Sequence, residues 1–207
     1  MRRRIRFAIV LLVIGVGCFF ALRAYTKSTA PNLPNAATLF QSVRPTLERS
    51  GVPLRLPTYI PAEGQRPAVK QYSPPSISAT APQPQPERGY LAILGYSPDC
   101  NGGNACRFGT ISGGMKPSES IEESFEQTLS EQSQSSFQEH RSKEPLSRVK
   151  LANGIEGWFL PWICRHVCTD AQVSWDEYSY RYSVGVKLGD RASLIKMANS
   201  AIEAGGK

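Results

Sequence analysis

Four cysteines in the second half of the chain, Cys100, Cys106, Cys164 and Cys168, carry the most evident chemistry. Their spacings are C-x₅-C and C-x₃-C. An even number of thiols in a chain marked for export reads first as disulfides. Long links would stabilise more, about 4 kcal/mol against about 2 for a short loop. Near neighbours meet first, however, and a short loop costs less entropy to close. The expected bridges are therefore Cys100 with Cys106 across the flexible Asn101-Gly-Gly-Asn104, and Cys164 with Cys168. Zinc is the rival, because His166 stands between two thiols, but C-x₅-C departs from the short knuckles of structural zinc sites. A redox-active pair at Cys164/Cys168 has Arg165 and His166 as positive neighbours, yet it lacks the C-x-x-C spacing at a helix start that lowers a thiol pKa. Asp99, Asn101 and Asn104 supply one carboxylate, too few for calcium, and they suit a tight turn without any ion.

Hydrolytic signatures are missing. The chain has no G-x-S-x-G elbow and no H-E-x-x-H helix, and its two histidines, His140 and His166, leave little for a triad. The reading is a non-catalytic domain without a cofactor or metal. Aromatic side chains are the remaining candidates, since Trp158, Trp162, Trp175, Tyr178, Tyr180 and Tyr182 all fall within 25 residues. Strand periodicity assigns most of them to a core. Any that project outward, from among Trp158, Trp162, Trp175 and Tyr178, form a candidate binding patch.

The net charge of +7 hints at nucleic acid until it is located. Arg2, Arg3, Arg4, Arg6, Arg23 and Lys27 flank the apolar run 7–22, and the remaining 18 basic residues face 17 acidic ones. The basic balance is thus a targeting signal, not a nucleic-acid surface. Residues 1–27 read as a signal anchor or signal peptide, and the arginines keep the head cytoplasmic while the rest is placed outside. The run is slightly short for a bilayer span and can lengthen if the flanking arginines snorkel. Cys18 follows Gly15-Val16-Gly17, which matches a lipobox only at its two nearest positions.

The elements that must position these residues follow from periodicity. Residues 28–50 read as a spacer, where Leu39, Val43 and Leu47 recur every four residues and Pro45 interrupts the helix. The folded domain is expected over 51–205, with an extended Pro-rich loop at 61–88. Residues 89–96 and 107–112 read as a long-loop hairpin. Residues 118–141 read as a polar surface helix capped by Ser118, with an Ile121, Phe125, Leu129 stripe. Residues 147–160 form a hairpin about Asn153-Gly154, and 171–186 alternate about a second turn. A last helix runs from an Asp190 cap through Leu194, Ile195, Ala198 and Ile202 to Gly205-Gly206. The fold class is α+β: an antiparallel sheet with helices packed on one face, preceded by an N-terminal membrane helix.

The stretch Val173-Ser-Trp175, Tyr180-Arg-Tyr182-Ser-Val184 and Leu194-Ile-Lys-Met-Ala198-Asn-Ser200 resembles the end of a bacterial envelope domain of unknown function. That domain occurs in membrane-anchored anti-sigma and sporulation-type proteins and in uncharacterised exported proteins of photosynthetic bacteria. Leu54-Arg-Leu56-Pro57-Thr-Tyr59-Ile-Pro61 is similar to its opening strand. The resemblance implies a sheet with a closing helix and carries over no catalytic residue. The expectation is an envelope module held at the inner membrane, or periplasmic if cleaved. It would bind a protein, a glycan or a lipid. An enzyme or redox accessory using the Cys164/Cys168 region is the alternative.

Overall fold

A computed structural model describes residues 36–61, 77–82, 87–133, 140–164 and 167–205. The apolar N-terminal run with Cys18, most of the Pro-rich stretch, and Arg165-His166 lie outside the described residues. Among the described residues no helix is long and apolar enough to cross a membrane.

Among the described residues nine strands form two antiparallel sheets. The larger contains β1 (Ser78–Thr80), β2 (Gly89–Gly95), β3 (Arg107–Met115), β5 (Ser147–Lys150), β6 (Glu156–Leu160), β8 (Asp170–Glu177) and β9 (Tyr180–Lys187), in the order β1-β2-β3-β9-β8-β6-β5. The smaller pairs β4 (His140–Arg141) with β7 (Ile163–Cys164). Alternation along the central strands sorts their side chains between the two faces of the sheet. Ala171, Val173 and Trp175 of β8 and Tyr182, Val184 and Val186 of β9 share one face and are buried. Residues between them point to the other face. Gly113 on β3 is paired with both Tyr90 and Tyr182, and a Cβ there would stand 2.5 Å from the Tyr90 ring and 2.7 Å from the Tyr182 ring. Only glycine leaves the two rings room. The Asn153-Gly154 turn adopts φ of 56° and 74°, the left-handed pair a tight hairpin requires.

Among the described residues four helices accompany the sheets: α1 (Ala36–Leu39), α2 (Arg44–Glu48), α3 (Ile121–Ser133) and α4 (Arg191–Gly205). Helix α4 is capped by Asp190, whose carboxylate accepts from the Ser193 N–H at 2.9 Å. Its buried stripe, Leu194, Met197, Ala198, Ala201 and Ile202, packs on the Trp175 face.

The structure departs from the sequence reading in six places. His140–Arg141, read as the end of the helix over 118–141, form strand β4, and residues 54–61, likened to an opening strand, lie in no strand. Residues 38–50, read as spacer, fold onto the domain: Leu39, Phe40, Val43 and Leu47 are buried in the main core. Pro45 sits in the first turn of α2, where no amide donor is needed, so it divides two short helices instead of ending the structure. The segment read as a Pro-rich loop contributes edge strand β1. Helix α3 starts on Ser120, not Ser118. The Ser120 hydroxyl accepts from the Glu123 N–H while Glu123 accepts from the Ser120 N–H, a reciprocal box that the Ser-x-x-Glu spacing provides. Finally, the helices do not share one face. Ile121 and Phe125 of α3 pack with Leu160 and Trp158, which alternate with the Phe159 side chain of the main core. A helix with three apolar residues needs only that small patch.

Candidate functional site

The four sulfurs are joined locally, Cys100 to Cys106 and Cys164 to Cys168. The first bridge closes the loop between β2 and β3, with Cys100 buried. The second is half-exposed at the end of β7, and Cys164 stands opposite His140 in the register. Among the described residues no group of three or more His, Cys, Asp or Glu side chains is arranged to hold a metal.

The aromatic candidates do not converge. Trp175 is fully buried and stacks on Tyr182 with centroids 5.6 Å apart, so it leaves the proposed patch. Its position on the core face of a central strand dictates this. Trp158 lies half-buried on the opposite face beneath the Arg148 guanidinium. Trp162 packs against the main core. Tyr178 alone is free in solvent, 90% exposed, at the tip of the β8–β9 turn with φ of 55°. Two S-x-x-K spacings stand in the chain, Ser147–Lys150 and Ser193–Lys196. Lys150 is exposed on a strand, and the Lys196 ammonium lies 4.0 Å above the Tyr59 ring. Neither makes a nucleophile–base pair in this structure.

The chemically richest face is the one turned away from α4. Its floor over β3, β9 and β8 is small and polar: Thr110 and Ser112, Ser183 and Gly185, Gln172 and Ser174. The Ser174 and Ser183 hydroxyls bond to each other. At one end the strands bring together Arg107, Asp170 and Lys187. Asp170 and Lys187 are register partners, and Arg107 enters at the β2–β3 bulge. Arg107 donates to Asp170 at 3.2 Å and to the Gly102 carbonyl at 3.1 Å, and Thr110 donates to the other Asp170 oxygen at 3.4 Å. The buried Lys187 ammonium donates to the Asn104 carbonyl. Burial raises the Asp170 carboxyl above its ordinary range, against the pull of Arg107 and Lys187. Burial, aided by the neighbouring Arg107 charge, lowers the Lys187 ammonium. Shifted groups clustered at one end of an open face are a functional signature.

A second ionic cluster is structural. Arg55 forms a two-pronged pair with Glu177 at 2.9 and 2.7 Å and donates to the Gly205 carbonyl at 3.0 Å. Its own backbone N–H donates to the Tyr90 hydroxyl, and its guanidinium lies over the Tyr182 ring. Hydrogen bonding from Arg55 holds the Glu177 carboxyl below its usual range. Burial pushes the Tyr182 hydroxyl up to about 12. Close by, an open cavity of about 410 Å³ lies between α2, residues 51–56 and the end of α4, lined by Arg44, Glu48, Val52, Leu54 and Gly205.

The sequence reading missed both clusters. The available signal was charge among apolar residues, Asp170 and Lys187 at matching strand ends and Arg55 between Leu54 and Leu56. Comparison with protein-family models, curated proteins and solved structures finds no match for this chain.

Proposed function

We propose that the chain is a non-catalytic binding module of the bacterial envelope, held at the inner membrane by its N-terminal segment with the domain outside the cytoplasm. The bound ligand is a glycan seated on the polar face. One observation carries this reading: a floor of hydroxyl and carboxamide groups over three central strands, partly exposed at Thr110, Ser112, Gln172 and Ser183 and buried at Ser174, ends in a charged cluster. Such groups bond to sugar hydroxyls and offer little to a lipid tail. A protein strand would pair at a sheet edge, not on a face. The basic N-terminal head and the two bridges support the compartment.

Topology is tested by reporter fusion. A C-terminal alkaline phosphatase fusion should be active, and an inactive one beside an active cytoplasmic reporter overturns the placement. Binding is tested by titrating full-length protein in detergent with soluble envelope glycan fragments. Ser112→Tyr, which fills the floor, should abolish the response while leaving the thermal transition in place. Equal binding by the variant refutes the assignment of the face.

The redox alternative keeps one supporting observation, the half-exposed Cys164–Cys168 bridge across from His140. Alkylation without reductant decides it: a cycling pair is labelled in part, whereas structural bridges stay closed.

A further inference from the structure

We propose that Arg107 and Lys187 form a binding site for a ligand carboxylate, the acidic group of a sugar whose remainder lies along the polar floor. The inference rests on the polar-face reading and names the chemistry at its charged end. Buried cations are ordinarily paired and fully hydrogen-bonded. Here two cations share one carboxylate. A guanidinium offers five N–H donors. One nitrogen of Arg107 serves Gly102, another serves Asn104 and Asp170, and among the described residues its buried Nε has no partner. Lys187 is 5% exposed, and among the described residues its ammonium bonds to the Asn104 carbonyl. Donor capacity is left over on both groups.

Charge selects the ligand. Arg107 and Lys187 against Asp170 leave one positive charge in excess. A monoanion balances that excess, whereas a phosphate dianion would overshoot it beside the Asp170 carboxylate. Planar carboxylates also match the fork of a guanidinium edge. Access is open, because the Arg107 side chain keeps 22% of its surface and Asn101, Gly103, Asn104 and Ala105 are exposed around it. Thr110, bonded to Asp170, leads from this end to Gln172, Ser112 and Ser183, so an acidic sugar would meet carboxylate donors first and hydroxyls after.

The test follows the Arg107 Nε–Hε cross-peak by NMR in the full-length protein in detergent, at constant ionic strength. Sodium acetate should move the peak to saturation, while chloride and phosphate leave it still. Glucuronate should bind at least about tenfold tighter than acetate. Arg107→Gln removes the observed group, so Asp170→Asn serves as the second variant and keeps the peak. It raises the excess charge to two, and phosphate should now move the peak. An unmoved wild-type peak, an equal response to chloride, or no gain of phosphate binding in Asp170→Asn overturns the site. Acetate binding with glucuronate no tighter upholds the carboxylate site and refutes the glycan floor, so the two readings fail separately.

Discussion

Removing one partner of the Arg55–Glu177 pair should destabilise the domain more than any surface charge change. Side-chain exposure is 10% for Arg55 and 16% for Glu177, so neither group is well solvated once its partner is gone. Arg55→Met leaves the Glu177 carboxylate facing an apolar side chain and also strips the Gly205 carbonyl of its donor. Leaving a buried charge uncompensated costs about 3–5 kcal/mol. Glu177→Gln keeps the shape and one acceptor, and its cost should be smaller, about 1.5–3 kcal/mol, the worth of a hydrogen bond to a charged group. Arg55→Met combined with Glu177→Leu removes both charges, and its cost should fall well short of the sum of the single replacements. Urea unfolding followed by tryptophan fluorescence reads all of these, since Trp158, Trp162 and Trp175 all lie in the domain. The pH dependence has a definite sign. Because the folded Glu177 carboxyl is held below its usual range, its contribution is fully present above the unfolded value, about 4.3, and is lost as pH falls through the lower folded value. Glu177→Gln should therefore flatten the acid limb of the stability curve. A cost below about 1 kcal/mol for Arg55→Met, or single costs that simply add in the double variant, refutes the reasoning.

Trp175→Ala should cost about 3–5 kcal/mol, because the ring is fully buried and stacked on Tyr182; a loss under about 1 kcal/mol would contradict the packing. Gly113→Ala should cost about 1–3 kcal/mol by forcing the Tyr90 and Tyr182 rings apart, and an unchanged urea midpoint would show that the rings can yield. Asp170 has the opposite sign to Glu177: its folded value is raised, so its contribution is present below the unfolded value, about 3.9, and is lost as pH rises through the folded one. Asp170→Asn should accordingly reduce the fall in stability over that window, and an unaltered curve would count against the burial of the carboxyl. Non-reducing peptide mapping after cleavage between residues 106 and 164 should return each bridge within its own fragment, and a peptide joining the two regions would reject the pairing.

The parts of the fold that were legible in the sequence share a short range. The Asn153-Gly154 hairpin, the β8–β9 alternation and the Asp190-capped helix are each specified by residues within about 18 positions of one another. Arg55 was illegible for the opposite reason. Its partners Glu177 and Gly205 lie 122 and 150 positions away, and nothing local distinguishes it from any arginine near a surface. The cluster at Arg107, Asp170 and Lys187 was hidden in the same way, since each residue alone reads as a charged strand end. Residues 38–50 were misread because three apolar residues at helical spacing are weak evidence when a proline stands among them. Whether that proline ends a helix or begins one depends on what Leu47 packs against. The aromatic run was half legible: alternation correctly puts Trp175 and Tyr182 inward, but period two alone does not say that a second helix covers Trp158.

Strand β9 follows the other described strands in the chain and yet lies near the middle of the sheet, between β3 and β8. Ile111 finds its register partner in Val184, so the β1-β2-β3 half and the β8-β6-β5 half have no ladder between them until β9 is made. The two halves therefore cannot be joined before residues 180–187 have been made. A nascent chain released short of residue 180 would hold two unpaired strand edges, on β3 and β8, the condition under which β-rich intermediates associate with one another. Pairings this distant in sequence also slow folding, which leaves a long interval for a chaperone to hold the unfinished chain. A chain cut after residue 187 would lack α4 and keep the whole sheet, whereas one cut after residue 177 would have a divided sheet.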